Sequence, residues 1–227
     1  MKISTVVKQI SFIIICAVLW IGCSHQTPLP DIQYYTLVYE KPQAINETAQ
    51  LQVRIRANPV QTTSFYRTTR IAYATSPYTR GLYSYYHWED PADKLLHGHI
   101  IRGFRDAGLF SDLVLSDSTL PCQFSLTIFV EEFVEMDRGK NRYALLSFWA
   151  TVEYEVENIS QVGQNTPLII FQKRYQVETP LETKTLTELA KAMSQSVSTA
   201  SLQLRADLYQ EISQRLKAIP MNKPKGK

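Results

Sequence analysis

Hydrophobic and polar positions along the chain fall into blocks, and the period changes from block to block. Leu51, Val53 and Ile55 alternate with Gln52 and Arg54, a step of two that predicts a strand with one buried face. Gln33–Tyr39 (QYYTLVY) and Arg70–Thr75 read as further strands, with Pro42 and Asn46–Thr48 in the loop between the first two and Pro77–Gly81 as a turn. A helix is predicted over about 91–107. Asp90 is its expected N-cap, Pro91 sits in the first turn, Asp93 reaches back as a capping-box acid, and Leu96, Ile100, Phe104 and Ala107 form an apolar stripe that Gly108 ends.

Alternation returns at Phe124, Leu126, Ile128 and Val130. Asp137–Lys140 turns the chain, and Tyr143–Glu157 answers with Ala144, Leu146, Phe148, Ala150 and Val152 on one face, Thr151, Glu153, Glu155 and Glu157 on the other. A third long strand, Leu168–Glu178, follows the loop Asn158–Pro167 and completes a meander. Past the stop at Pro180–Thr183 the period becomes helical, through Leu189, Ala190, Met193, Val197, Ala200, Leu204, Leu208 and Ile212. The predicted fold is α+β: a mostly antiparallel sheet including a long meander, covered by two main helices, at about 91–107 and 184–217.

The 227 residues, 44% hydrophobic and 20% charged, suit one globular domain. The N-terminus has a different character. Lys2 and Lys8 precede the uncharged run Ile10–Ile21, and Gly22-Cys23 follows at once, the pattern of a secretory signal peptide over residues 1–22. A twelve-residue helix rises about 18 Å, well short of a roughly 30 Å hydrocarbon core. Leu19-Trp20-Ile21-Gly22-Cys23 resembles the bacterial lipobox, with Trp20 where leucine is usual. The resemblance implies acylation of Cys23, and several acyl chains would anchor the protein firmly. Ser24 rather than Asp after the cysteine implies the periplasmic face of the outer membrane, and residues 23–31 form a lipidated tether. With Cys16 removed and Cys23 acylated, Cys122 remains as a lone thiol, read as a small buried apolar residue. Asn46-Glu47-Thr48 is a sequon without expected meaning.

Charge first suggests a basic protein, since 24 Lys and Arg stand against 21 Asp and Glu. Removing residues 1–22 takes away Lys2 and Lys8 and no acid, and Lys223, Lys225 and Lys227 belong to a tail (220–227) expected to be disordered. The folded body is then nearly neutral, which leaves a nucleic-acid partner without support. Phosphate-loop, GxSxG, CxxC and HExxH motifs are absent, so no enzyme, cofactor or metal site is expected. His97 and His99 are read as rim residues, and His25 and His87 have no assignable partner. Glu131, Glu132, Glu135 and Asp137 read as a solvated strand end, and the alternate glutamates from Glu153 as a solubilising face. Tyr78, Tyr83, Tyr85, Tyr86 and Trp88 are the densest aromatic cluster, suited to sheet packing or to a binding surface.

Taken in order, several of these features resemble the ABC-type transport auxiliary lipoproteins, the PqiC-like family, across nearly the whole mature chain, with residues 32–219 as the auxiliary domain. They are Pro30 with Tyr34-Tyr35-Thr36-Leu37, Arg70-Ile71-Ala72-Tyr73, Tyr83 to Trp88 with Asp90-Pro91, Gly108-Leu109-Phe110, and Ala192-Met193-Ser194-Gln195. The resemblance implies a non-enzymatic outer-membrane component, held by the lipid on Cys23, that works with an inner-membrane ABC transporter complex and a mammalian-cell-entry (MCE) type protein to move phospholipid or other amphiphiles between membranes. Tyr83, Tyr85, Tyr86 and Trp88 are the candidate docking residues, and a homo-oligomer is compatible with this reading. The alternative is a stand-alone periplasmic lipoprotein that binds an apolar ligand in a cavity between sheet and helices.

Overall fold

The computed structural model describes residues 30–41, 49–155 and 168–218, and in it one strand organises the sheet. Strand β7 (Phe124–Arg138) pairs along one edge with three shorter strands laid end to end and parallel to it. These are β2 (Leu51–Ala57), with Ile55 opposite Phe124, β3 (Gln61–Thr62), with Gln61 opposite Phe129, and β4 (Arg70–Ser76), with Tyr73 opposite Glu135. The other edge of β7 takes β8 (Asn141–Tyr154) antiparallel, and β8 takes β9 (Leu168–Pro180) antiparallel. Strand β5 (Thr79–Trp88) folds back on β4, β1 (Gln33–Tyr35) lies parallel to β5, and β6 (Phe110–Leu115) lies parallel to β2. The expected meander is present, and among the described residues long antiparallel ladders dominate a mixed nine-stranded sheet.

Helices α1 (Ala92–Ala107) and α2 (Leu186–Ala218) match the two predicted helices. Every residue of the α2 stripe named above is buried, and Leu189, Met193, Val197, Leu204, Leu208 and Ile212 share one core cluster with Phe124, Phe133, Leu146 and Phe148. Each such side chain contributes about 1.5–3 kcal/mol by leaving water. Ser196 allows close approach to the sheet, its hydroxyl lying 2.7 Å from that of Thr179 on β9. Among the described residues no helix is long and apolar enough to cross a membrane.

Four local expectations change. The cap of α1 is Pro91 rather than Asp90, with no side-chain capping bond, and Asp93 makes no capping-box contact; its Oδ1 is buried without a partner. The C-terminal stop does match, because Gly108 takes φ +60°, a conformation that costs a residue with a Cβ. The first strand ends at Tyr35 instead of Tyr39, since the chain then leaves the sheet: Thr36 bonds Glu89, and Val38 N–H donates to Ser194 Oγ of α2 at 3.0 Å. Strands β3, β5 and β6 were not expected, and the predicted turn at Pro77–Gly81 shrinks to Pro77-Tyr78 because β5 begins at Thr79.

Candidate functional site

The aromatic block lies on β5 and divides by depth. Trp88, 2% exposed, packs its ring against Phe133 at 5.3 Å and offers a partner no surface. Tyr83 and Tyr86 are half-buried and meet edge to face at 5.6 Å, Tyr86 also meets Tyr35 of β1 at 6.5 Å, and the Tyr83 hydroxyl donates to Glu135 at 2.7 Å. Tyr85 is partly exposed, whereas Tyr78 at the hairpin tip is 96% exposed and Tyr34 on the neighbouring edge is 65% exposed. His87 does have a partner, since the Thr69 hydroxyl lies 3.0 Å from its Nδ1.

This corner also brings together segments distant in sequence. Arg70 of β4 donates from Nε and Nη2 to the carbonyls of Tyr83 and Leu82, at 2.9 and 3.0 Å, and Gln33, Tyr34 and Tyr35 pair with Tyr86, His87 and Trp88. The landmark around Tyr34-Tyr35, the one at Arg70 and the aromatic block are therefore one structural unit.

The carboxylates of β7 are not a solvated strand end. A bulge between Val130 and Glu132 resets the alternation, so that inward Phe124, Leu126, Ile128 and Val130 are followed by Phe133 and Glu135. Glu135 is 1% exposed and is held by Arg142 at 2.9 Å and by the Tyr83 hydroxyl. Glu132 accepts from Tyr66 and from Arg80 Nη2, each at 2.6 Å, and burial with these acidic contacts pushes the Tyr66 hydroxyl far above its ordinary range. Glu131 accepts from Arg174 at 2.6 Å, Trp149 at 2.9 Å and Ser147 at 3.1 Å, and these donors hold it below the usual carboxylate range against the opposing pull of burial. Each acid has a structural cation, which argues against acid–base work. Cys122 is buried and free, with its thiol pushed up by desolvation, in keeping with a packing role.

A second site lies where residues 36–41 cross the two helices. Here a hollow of about 500 Å³ is lined by Tyr39, His99, Ser198, Ser201, Leu202 and Arg205, with Glu40 and Lys41 at its exposed rim. The Tyr39 hydroxyl donates to Asp106 at 2.7 Å, its ring meets that of His99 edge-on at 5.0 Å, and the Arg102 guanidinium sits 5.1 Å from the ring centre. His99 is not a rim residue. It is 6% exposed, and burial together with the charges of Arg102 and Arg205 pushes its pKa down to about 4. Its Nε2 lies 3.3 Å from Ser198 Oγ, and its Nδ1 has no partner. His97, half-buried, is also lowered, first by desolvation.

Sequence reasoning missed this cleft, although a signal exists. Ser194, Ser198, Ser201 and Arg205 recur at helical spacing beside the apolar stripe of α2, and His99 and Gly103 are four apart on the facing helix. Among the described residues the hollow between α1 and the sheet, lined by Val60, Ile100, Ile101, Leu126 and Ile128 among others, is about 10 Å³, the size of one water, too small to hold an apolar ligand at that place. Cys23, the tether up to residue 29, His25, Asn46, Glu157 and the lysine tail lie outside the described residues. Among the described residues, no group of three or more His, Cys, Asp or Glu gathers as a metal site would require.

No family model and no curated protein matches the chain. Solved structures similar in fold include the following two. An uncharacterised protein aligns with 79% of this chain and 99% of its own at 14% identity, with a TM-score of 0.58. A Xanthomonas campestris protein described by the family model DUF330 aligns with 82% of this chain and 99% of its own at 15% identity, with a TM-score of 0.70. Identities this low speak to architecture alone, and the architecture of this chain is that of the DUF330 protein along almost its full length.

Proposed function

We propose that the protein is a lipid-anchored, non-enzymatic auxiliary component on the periplasmic face of the outer membrane, where it docks an MCE-type partner of an ABC transporter that moves phospholipid or other amphiphiles. The observation that carries this reading is the convergence of the sequence landmarks: Tyr34-Tyr35, Arg70 and Tyr83–Trp88 lie on three adjacent strands and bond directly to one another. The segments that carry the sequence's resemblance to the PqiC-like family thus form one corner of the fold. The DUF330-like architecture supports the same assignment at the level of fold. Because Trp88 is inside the core, the surface left for docking is Tyr34, Tyr78 and Tyr85.

Two measurements test it. Cys23→Ala is expected to move the protein from the membrane fraction to the soluble fraction, and globomycin to accumulate a precursor; unchanged membrane retention in Cys23→Ala refutes the anchor. The triple variant Tyr34→Ala, Tyr78→Ala, Tyr85→Ala is expected to fold and to lose co-purification with the MCE-type protein, whereas pull-down equal to wild type removes this corner as the docking surface.

A further inference from the structure

Among the described residues Arg205 is a cation enclosed without a bonded anion. An arginine side chain does not release its proton in proteins. This one is 3% exposed, and its Nε is buried without a hydrogen-bond partner. The acidic and phenolic groups felt by it are Asp106 and Tyr39, and these two are already bonded to each other. Among the described residues the other charged side chain buried this deeply, Glu135, is matched by Arg142. Two more residues lining the hollow carry a buried atom without a partner among the described residues, Ser201 Oγ and His99 Nδ1. The Ser198 hydroxyl and His99 Nε2 lie 3.3 Å apart, and in the tautomer in which the hydroxyl donates, the proton of the neutral imidazole sits on Nδ1 and has no acceptor among the described residues. A guanidinium, a hydroxyl and an imidazole therefore belong to residues bordering one space, each with a buried polar atom that no hydrogen bond satisfies among the described residues.

We propose that this hollow binds a phosphate group, with Arg205, Ser201 and His99 donating to its oxygens. A planar carboxylate would be satisfied by the arginine fork alone, whereas a tetrahedral oxyanion carries enough acceptor oxygens for all three donors. A volume of about 500 Å³ falls in the range of small-molecule sites and leaves room for an ester substituent on the phosphate. Glu40 and Lys41 at the rim offset one another, so the enclosed charge sets the preference. The glycine at position 103 is part of the design: a Cβ there would stand 2.5 Å from Arg205 Nη1 and 3.3 Å from Ser201 Oγ. Alanine at that position must push the guanidinium aside without changing any charge.

The site stands apart from the proposed partnership, and its test contains no partner protein. The full chain in neutral detergent is titrated calorimetrically with inorganic phosphate and, separately, with dioctanoyl phosphatidate, with chloride controlling for ionic strength. Saturable binding of at least one probe is expected, weakened about tenfold or more by Arg205→Met and by Gly103→Ala, as loss of a charge-assisted contact implies. Equal binding of the two probes identifies recognition of the free phosphate group, and binding of phosphatidate alone identifies a lipid headgroup. Arg205→Met is also expected to unfold at a urea concentration no lower than wild type when phosphate is absent, because it removes an unmatched buried charge; an arginine with a purely structural role would give the opposite shift. Absence of binding by either probe, or binding undiminished in both variants, overturns the proposal.

Discussion

Acid should destabilise this protein well above the pH at which carboxylates titrate, and His99 is the reason. In the unfolded chain an imidazole takes up a proton near pH 6.5, whereas in the folded protein His99 resists until about 4, because its ring is buried and faces the charges of Arg102 and Arg205. Between those values the unfolded state binds the extra proton, so stability is full above about 6.5 and falls as the pH drops towards 4. Each pH unit of that gap corresponds to about 1.4 kcal/mol, so acidification from pH 7 to pH 4.5 should remove about 2–3 kcal/mol through this residue. Urea unfolding in phosphate-free buffer, followed by tryptophan fluorescence at the two pH values, measures the loss. His99→Gln retains a group able to bond Ser198 but cannot titrate, and it should lose less stability than wild type by that same 2–3 kcal/mol. His97, lowered in the same direction, is present in both proteins and cancels in the comparison. Glu131 and Asp207, whose hydrogen-bonded cations hold them low against burial, begin to lose their stabilisation only at the acid end of this range, and they too are present in both proteins and cancel. An imidazole resonance of His99 titrating near 6.5, or an equal loss in His99→Gln, would refute the reasoning.

Two further outcomes follow from the fold. Glu135→Ala leaves Arg142 beside an emptied buried position and frees the Tyr83 hydroxyl, and it should cost about 3 kcal/mol in urea unfolding. Gly108→Ala forces a side chain into φ +60° at the end of α1 in open space, so strain alone should lower stability by about 1 kcal/mol, read as a drop in thermal midpoint with secondary structure unchanged.

What could be read from the sequence was whatever repeats locally. The α2 stripe from Leu189 to Ile212 and the alternation of Ala144 to Val152 each span many periods, and every member is buried as the pattern requires. Strand β6 escaped because Phe110–Leu115 shows two adjacent buried residues, Leu113 and Val114, instead of alternation. The acids of β7 were misjudged for a different reason. The bulge that turns Glu135 inward leaves no local signature, and the partners of Glu132, Tyr66 and Arg80, come from strands and turns more than fifty residues earlier. The cleft at Arg205 depends on α1, α2 and residues 36–41 meeting, and an arginine one position after Leu204 on an otherwise amphipathic helix reads as solvated until the facing Gly103 is seen.

The run of β2, β3 and β4 along a single edge of β7 has a kinetic consequence. Ile55, Gln61 and Tyr73 wait for partners at positions 124, 129 and 135, so each parallel join closes a loop of sixty residues or more before any pairing rewards it. A chain emerging from its N-terminus presents these strands first, with the edges that meet β7 unpaired even where β5 has folded back on β4, while the long β7–β8 hairpin closes within a two-residue turn as soon as it appears. Folding should therefore begin late in the sequence and recruit the earlier strands backwards onto β7. Chains ending before about residue 138 should remain unfolded and susceptible to protease, however much of the N-terminal half they contain.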